Sequence, residues 1–180
     1  MAGMLGTVAG DDSTGELVIT RDTPAELEAL YAAHARSLAQ ALQAAGYPDA
    51  ADAVQEAFVQ AVVHWRKVSR YDDPLAWIRR VAINRGHNRR RSRRRQEALQ
   101  QRMAAAPTTQ VPLFEADDDL AALVAALPQQ QRLALSLFYY SDLSIAEVAD
   151  AMQLSEGAVK YHLHAARTSL AHSLEVRDGS

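Results

Sequence analysis

Apolar residues recur at helical spacing along most of the chain, and no stretch shows the alternating pattern of a strand. The start is different: residues 1–22 are rich in Gly, Asp and Thr without apolar period, and a disordered tail is expected there. Order is expected to begin at "TPAE", where Thr23 can cap, Pro24 suits the first helical position and Glu26 completes a capping box. Leu27, Leu30, Tyr31, Leu38 and Leu42 then predict a helix that stops at Gly46. A second helix is predicted from about Asp49 or Asp52 to Trp65, with Val54, Phe58, Ala61 and Trp65 as its stripe. The third opens at "DDPLAW", with Asp73 as cap and Pro74 as first residue. Trp77, Ile78, Val81 and Ala82 form its buried side, and a run of arginines continues it.

The pattern breaks over residues 103–119, "MAAAPTTQVPLFEADDD", whose two prolines and acidic cluster predict a flexible linker. Helical signals then return as Leu120, Leu123, Val124 and Leu127, ended by Pro128, and as Leu133, Ala134, Leu137, Phe138 and Tyr140. In "LSIAEVADAMQLSEGAVKYHLHAARTSL", Ser144 and Glu147 form a capping box ahead of Ile145, Val148, Ala149 and Met152. Ser155 offers a second N-cap ahead of Val159, Leu163, Ala166 and Leu170. Two helices joined by so short a turn predict a helix-turn-helix. At roughly 100° per residue, Gly157, Tyr161, His164 and Thr168 point away from the core, flanked by Lys160 and Arg167. Periodicity alone leaves a plain helical hairpin with a solvated outer face equally open. The fold class is therefore all-α: two small helical modules, residues 23–102 and 120–174, on a flexible linker, with 175–180 as a tail.

Charge changes the picture by its placement. The formal net charge is −3, yet most of the 19 basic residues fall between Arg66 and Arg102, and "VAINRGHNRRRSRRR" is strongly cationic. A near-neutral sum thus hides a segment suited to nucleic-acid phosphates. With no cysteine, disulfides and thiolate zinc sites are excluded. The six histidines form no His-Glu-x-x-His motif, and no Gly-rich phosphate loop or nucleophile elbow occurs, so neither enzymatic activity nor a cofactor or metal is expected. The opening "MAGMLGTVAGDDSTGE" lacks the charged start and long apolar run of a signal or membrane anchor, so a cytoplasmic location is expected.

The second module resembles region 4 of sigma factors of the sigma-70 superfamily, extracytoplasmic-function class. It carries the family pattern at Leu127, Pro128, Gln131, Arg132, Leu143, Ser144, Glu147, Val148, Ala149, Ser155, Gly157, Val159, Lys160, Leu163, Ala166 and Arg167. Regulators of the LuxR type share part of this signature, so a stand-alone helix-turn-helix regulator is the alternative reading. The first module favours the sigma factor. "DAADAVQEAFVQAVVHWRKV" resembles region 2.2 at Asp49, Ala50, Asp52, Val54, Gln55, Glu56, Phe58 and Ala61. "DDPLAWIRRVAINRGHNRRRSRRR" resembles regions 2.3 and 2.4 at Pro74, Ala76, Trp77, Ile78, Arg80, Ala82, Asn84 and the arginines.

The resemblance implies an alternative sigma factor that binds core RNA polymerase, recognises minus-35 and minus-10 promoter elements and catalyses nothing itself. Asp52 and Glu56 are a like-charge i,i+4 pair that a basic partner would relieve. By resemblance that partner is the polymerase clamp coiled coil, docked on Asp49, Asp52, Gln55 and Glu56, while region 4 meets the polymerase flap. Minus-10 contacts are implied for Lys67, Arg70 and Tyr71 in the loop over 66–73, and for Asn84, Arg85, Asn88, Arg89, Arg90 and Arg91 on the next helix. Minus-35 contacts are implied for Ser155, Glu156, Gly157, Lys160, Tyr161, His164 and Arg167. An anti-sigma factor is an expected partner and a membrane is not. The chain departs from the family pattern at Asn88, where a carboxylate is common, and at Gln153, where a Gly often sits in the turn.

Overall fold

In the computed structural model, residues 24–103 and 118–178 are described, with side chains for 24–100 and 120–175. They form seven helices: α1 Ala25–Ala44, α2 Ala50–Val68, α3 Pro74–Met103, α4 Asp118–Ala126, α5 Gln129–Tyr140, α6 Ile145–Met152 and α7 Glu156–Asp178. No strand occurs among the described residues, in keeping with the all-α expectation.

The first module packs α1, α2 and α3 around the small side of α2. Ala50, Ala53, Ala57 and Ala61 let the neighbouring helices approach closely, and Val54, Phe58 and Val68 fill the remaining space. Leu27, Leu38 and Leu42 of α1 meet Ile78, Ala82 and Ile83 of α3 in the same cluster. Between α1 and α2 the chain stops on a Schellman pair: the Tyr47 N–H donates to Leu42 O at 3.0 Å and the Gly46 N–H to Gln43 O at 2.8 Å, with Gly46 at φ +75°. Asp73 caps α3 as expected, accepting from the Ala76 N–H at 3.0 Å.

The helix-turn-helix also forms where the pattern places it. Ser144 and Glu147 make the complete capping box at the start of α6. Ser155 Oγ accepts from the Ala158 N–H at 3.2 Å at the start of α7. Val148, Ala149, Val159, Leu163 and Ala166 close onto Leu133, Ala134 and Leu137 of α5. Gln153 takes the turn position itself, at φ 56° and ψ 44°, a left-handed conformation that costs a side chain more than it costs glycine.

Four details differ from the pattern. The first helical residue is Ala25, and Pro24 stands just before it as N-cap, its carbonyl accepting from the Leu27 and Glu28 N–H groups; Thr23 lies outside the described residues. Tyr31 is 50% exposed and lies edge-on to Phe58 instead of entering the core, because α1 turns its Leu27–Leu38–Leu42 line inward. Leu120 and Tyr140 are exposed, at the outer ends of α4 and α5. The final helix runs on to Asp178, four residues into the expected tail. The tail over 1–22 and most of the linker fall outside the described residues.

The modules pack against each other, which periodicity does not reveal. α1 lies along α5 and α3 along α6, and one apolar cluster runs through both modules. Polar pins flank it. Gln129 Nε2 donates to Ala45 O at 3.1 Å and Ser141 Oγ to Ser37 O at 3.3 Å. Arg79 Nη1 meets Glu147 Oε1 at 3.2 Å and Arg80 Nη2 meets Asp150 Oδ1 at 2.6 Å.

Candidate functional site

α7 exposes the face its stripe implies. With Val159, Leu163 and Ala166 buried, Glu156, Gly157, Lys160, Tyr161, His164, Arg167 and Thr168 are left exposed. Gly157 faces open space: an added Cβ would meet only Ser155 Oγ, at 3.9 Å. The first turn therefore lets a backbone approach its free N–H groups, as a phosphate requires. Lys160 pairs loosely with Glu156 at 3.6 Å, and Tyr161, 66% exposed, stands beyond it. Arg167 lies 5.6 Å from the centroid of Phe138 and 5.8 Å from that of Tyr139. Those rings hold the guanidinium by cation–π attraction and leave its N–H edges available. The sequence pattern assigns Phe138 to a core stripe and leaves this second role unread.

On α3 the arginines divide by helical angle. Asn84, Asn88, Arg91 and Arg95 lie opposite the Ile78–Ala82–Gly86 core line and face outward. Arg85 and Arg89, expected to be free for DNA, instead turn to α2. Arg89 bonds Glu56 through Nη2 and reaches Asp52 at 3.4 Å and Asp49 at 3.9 Å through Nη1, while Arg85 Nε lies 3.7 Å from Glu56. The bond to Glu56, ahead of the nearby charges, holds the Arg89 guanidinium above its ordinary range. The repulsion between Asp52 and Glu56 that seemed to call for an outside partner is thus relieved within the chain. Gln55, exposed beside them, shares an open groove with Asp52, Glu56, Arg85 and Arg89. Arg90 is half-buried one turn beyond Gly86, on the side of α3 that packs against Tyr47.

The segment expected as a loop over 66–73 is shorter, because α2 continues to Val68 and places Lys67 in its last turn. Ser69 to Asp73 make the connection, tightened by Arg70 N–H to Lys67 O at 3.2 Å and Tyr71 N–H to Val68 O at 3.0 Å. Lys67, Arg70 and Tyr71 are all exposed there.

Arg79 escaped the sequence reading. It is only 6% exposed and sits between Asp73 and Glu147, joining the start of α3 to the cap of α6. Glu147 accepts from the Ser144 N–H at 2.9 Å and the Ser144 hydroxyl at 2.8 Å, and these bonds, more than Arg79, hold its carboxyl below the ordinary glutamate range. Only spatial proximity reveals the pair, since the two residues stand 68 positions apart. Among the described residues no group of three His, Asp or Glu side chains converges as a metal site, and no helix is long and apolar enough to cross a membrane.

Comparison with known proteins supplies the family. Residues 29–96 match the model for sigma-70 region 2, and residues 117–170 match sigma-70, region 4. The chain is 31% identical over 139 residues to the RNA polymerase sigma-E factor of Streptomyces avermitilis, covering 72% of this chain and 73% of that one. It is 39% identical over 61 residues to the ECF RNA polymerase sigma factor SigF of Caulobacter vibrioides, 34% of each chain. Among solved structures it resembles the sigma factor RpoE in complex with the anti-sigma factor NepR from Bartonella quintana, with TM-score 0.64, 20% identity, and 84% and 95% of the two chains covered. CnrH in complex with the cytosolic domain of CnrY is similar at TM-score 0.58 and 26% identity, over 83% and 88% of the chains. A LuxR-type regulator leaves the region 2 match without an account. With both regions present in order, the chain belongs to the sigma-70 family, as an alternative sigma factor of the extracytoplasmic-function class.

Proposed function

We propose that the two modules divide promoter recognition between α7 and α3, while the acidic side of α2 takes core RNA polymerase. The observation that carries this division is the pair of exposed polar faces, on α7 and on α3, borne by one chain beside an acidic groove. On α7, Ser155, Glu156 and Gly157 lie at the helix start, where N–H groups favour a phosphate. Lys160, Tyr161, His164 and Arg167 reach on towards minus-35 bases in the major groove. On α3, Asn84, Asn88 and Arg91 face the minus-10 element together with Lys67, Arg70 and Tyr71, and Tyr71 offers a stacking surface to an unpaired base. Arginine contacts to phosphate position the duplex and do not specify it.

Asp49, Asp52, Gln55 and Glu56 are the proposed seat of the polymerase clamp coiled coil, and region 4 that of the flap. A basic partner there competes with Arg89 and Arg85 for the same carboxylates. Docking therefore releases two guanidinium groups next to the promoter-facing side of α3, so polymerase binding and DNA binding support each other. Residues 23–102 and 120–174 are the proposed functional units. An anti-sigma factor is a further proposed partner, supported by the complex in which the similar RpoE was solved, and the cytoplasm is the proposed place of action. Pull-down of purified core polymerase tests the seat: the double variant D52N/E56Q is expected to lose about tenfold in affinity, or 1.4 kcal/mol. Unchanged affinity moves the seat elsewhere.

A further inference from the structure

At one end of the seam between the modules, three arginines gather about one turn, and among the described residues no carboxylate pairs with them. Arg90 and Arg94 follow Gly86 at one-turn intervals on α3, Gly86 packs on the ring of Tyr47, and the neighbouring Gly46 lies against the guanidinium of Arg132 on α5. The turn is tightly wedged. A Cβ on Gly46 would come within 3.0 Å of the Arg132 guanidinium, and one on Gly86 of α3 within 3.0 Å of the Tyr47 ring. Tyr47 also lies edge-on to His87, 5.2 Å between centroids.

Among the described residues, what surrounds Arg132 is neutral or cationic. Its Nη1 donates to Ala125 O at 2.6 Å and its Nη2 to Gln129 Oε1 at 2.9 Å, while its buried Nε has no partner. Burial, and then the charges of Arg94 and Arg132, lower Arg90; burial and Arg94 lower Arg132. Burial raises Tyr47, so its hydroxyl stays neutral near pH 7 and offers no countercharge. Burial followed by Arg90 and Arg91 lowers His87. Elsewhere on the same helix Arg79, Arg80, Arg85, Arg89 and Arg93 each have a carboxylate partner. The seam is thus held by ion pairs where α3 meets α6, and carries like charges where the Gly46–Tyr47 turn separates α3 from Arg132 of α5. Partly desolvated charges without a counterion are costly, and a dianion offers each guanidinium a charge-assisted hydrogen bond.

We propose that this corner binds a phosphate-bearing anion, which accepts from Arg90 and Arg94 of α3 and from Arg132 of α5 and so fastens the two modules to each other. The inference does not depend on the promoter contacts proposed above. A free polyphosphate anion and a backbone phosphate of DNA share the required chemistry, and two probes separate them.

The full chain is titrated calorimetrically at constant ionic strength with pyrophosphate and, separately, with a short duplex of arbitrary sequence. The variants are R94Q, R132Q and, as a control for charge lost from the outward face of α3, R95Q; far-UV circular dichroism checks that each folds. R94Q removes an exposed side chain and keeps the test sound if R132Q unfolds. Tenfold weaker pyrophosphate binding in R94Q and R132Q, with R95Q within twofold of the parent, supports the site and identifies a free anion. Silence with pyrophosphate but a tenfold larger loss of duplex affinity in R132Q and R94Q than in R95Q supports the site and identifies the DNA backbone. Equal losses in all three variants, or no binding of either probe, overturn the proposal.

Discussion

Replacing Arg89 with Gln tests whether the acidic groove is neutralised from within. The side chain is 28% exposed, and the carboxylates it meets are 63%, 65% and 44% exposed at Asp49, Asp52 and Glu56. Exposed pairs contribute about 0 to 1 kcal/mol each, with the bond to Glu56 at the upper end. The Asp52–Glu56 repulsion that returns adds a few tenths of a kcal/mol, on the order of 0.3. Together the loss is about 1 to 2 kcal/mol, and at roughly 2–4 °C per kcal/mol for a chain of this size Tm falls by about 2–8 °C. The assay is thermal unfolding at 0.1 M and 1 M NaCl beside R91Q, which removes an outward-facing arginine. Screening over about 3 Å at 1 M salt is expected to shrink the R89Q deficit to under half. Freed carboxylates also bind a basic partner more strongly, so core polymerase affinity is expected to rise up to about fivefold, equivalent to 1 kcal/mol. If R89Q and R91Q unfold together at 0.1 M NaCl, or the deficit persists at 1 M, the reasoning fails.

Three other changes have defined outcomes. Gln153→Gly removes a side chain from a left-handed position and is expected to stabilise the helix-turn-helix by about 0.5–1 kcal/mol net of the added chain entropy, read as a raised Tm. Because the folded state holds Glu147 below its ordinary pKa, its contribution is complete above the ordinary glutamate value of about 4.3 and is lost as pH falls through the lower folded value. The Tm gap between parent and E147Q is therefore expected to narrow as pH falls below the ordinary glutamate value and to close below the lowered folded one; a gap constant with pH argues against that linkage. Tyr161→Ala is expected to cost about 1–3 kcal/mol of discrimination at one minus-35 position, measured by competition between promoter variants, with little change in Tm.

The local signals were strong where cap and stripe agreed. Asp73, Ser144 with Glu147 and Ser155 each stand at the start of the helix their sequence context announces, because a cap is a contact within four residues. The outward face of α7 follows from the same periodicity. Gly46 marked a stop, yet nothing in the pattern showed that Arg132 would pack against it. Arg89 illustrates the limit most clearly: the arginine run reads as one cationic block, and only the angle of α3 against α2 divides it into outward, acid-bound and seam-facing groups. Arg79 with Glu147 and Arg80 with Asp150 join residues some seventy positions apart, beyond any local period. The left-handed Gln153 shows the opposite case, where the Schellman bonds of Leu154 and Gln153 to Ala149 and Asp150 hold the turn without glycine.

Run-off transcription tests the central claim most directly: core RNA polymerase and a library of promoter fragments, with and without this protein, and with the Tyr161→Ala and D52N/E56Q variants. The account predicts transcripts that require the protein, whose shared upstream and downstream elements are those it reads, and whose yield falls with either variant. Contradiction takes one form, tight binding of duplex by the protein alone with no transcript that depends on it.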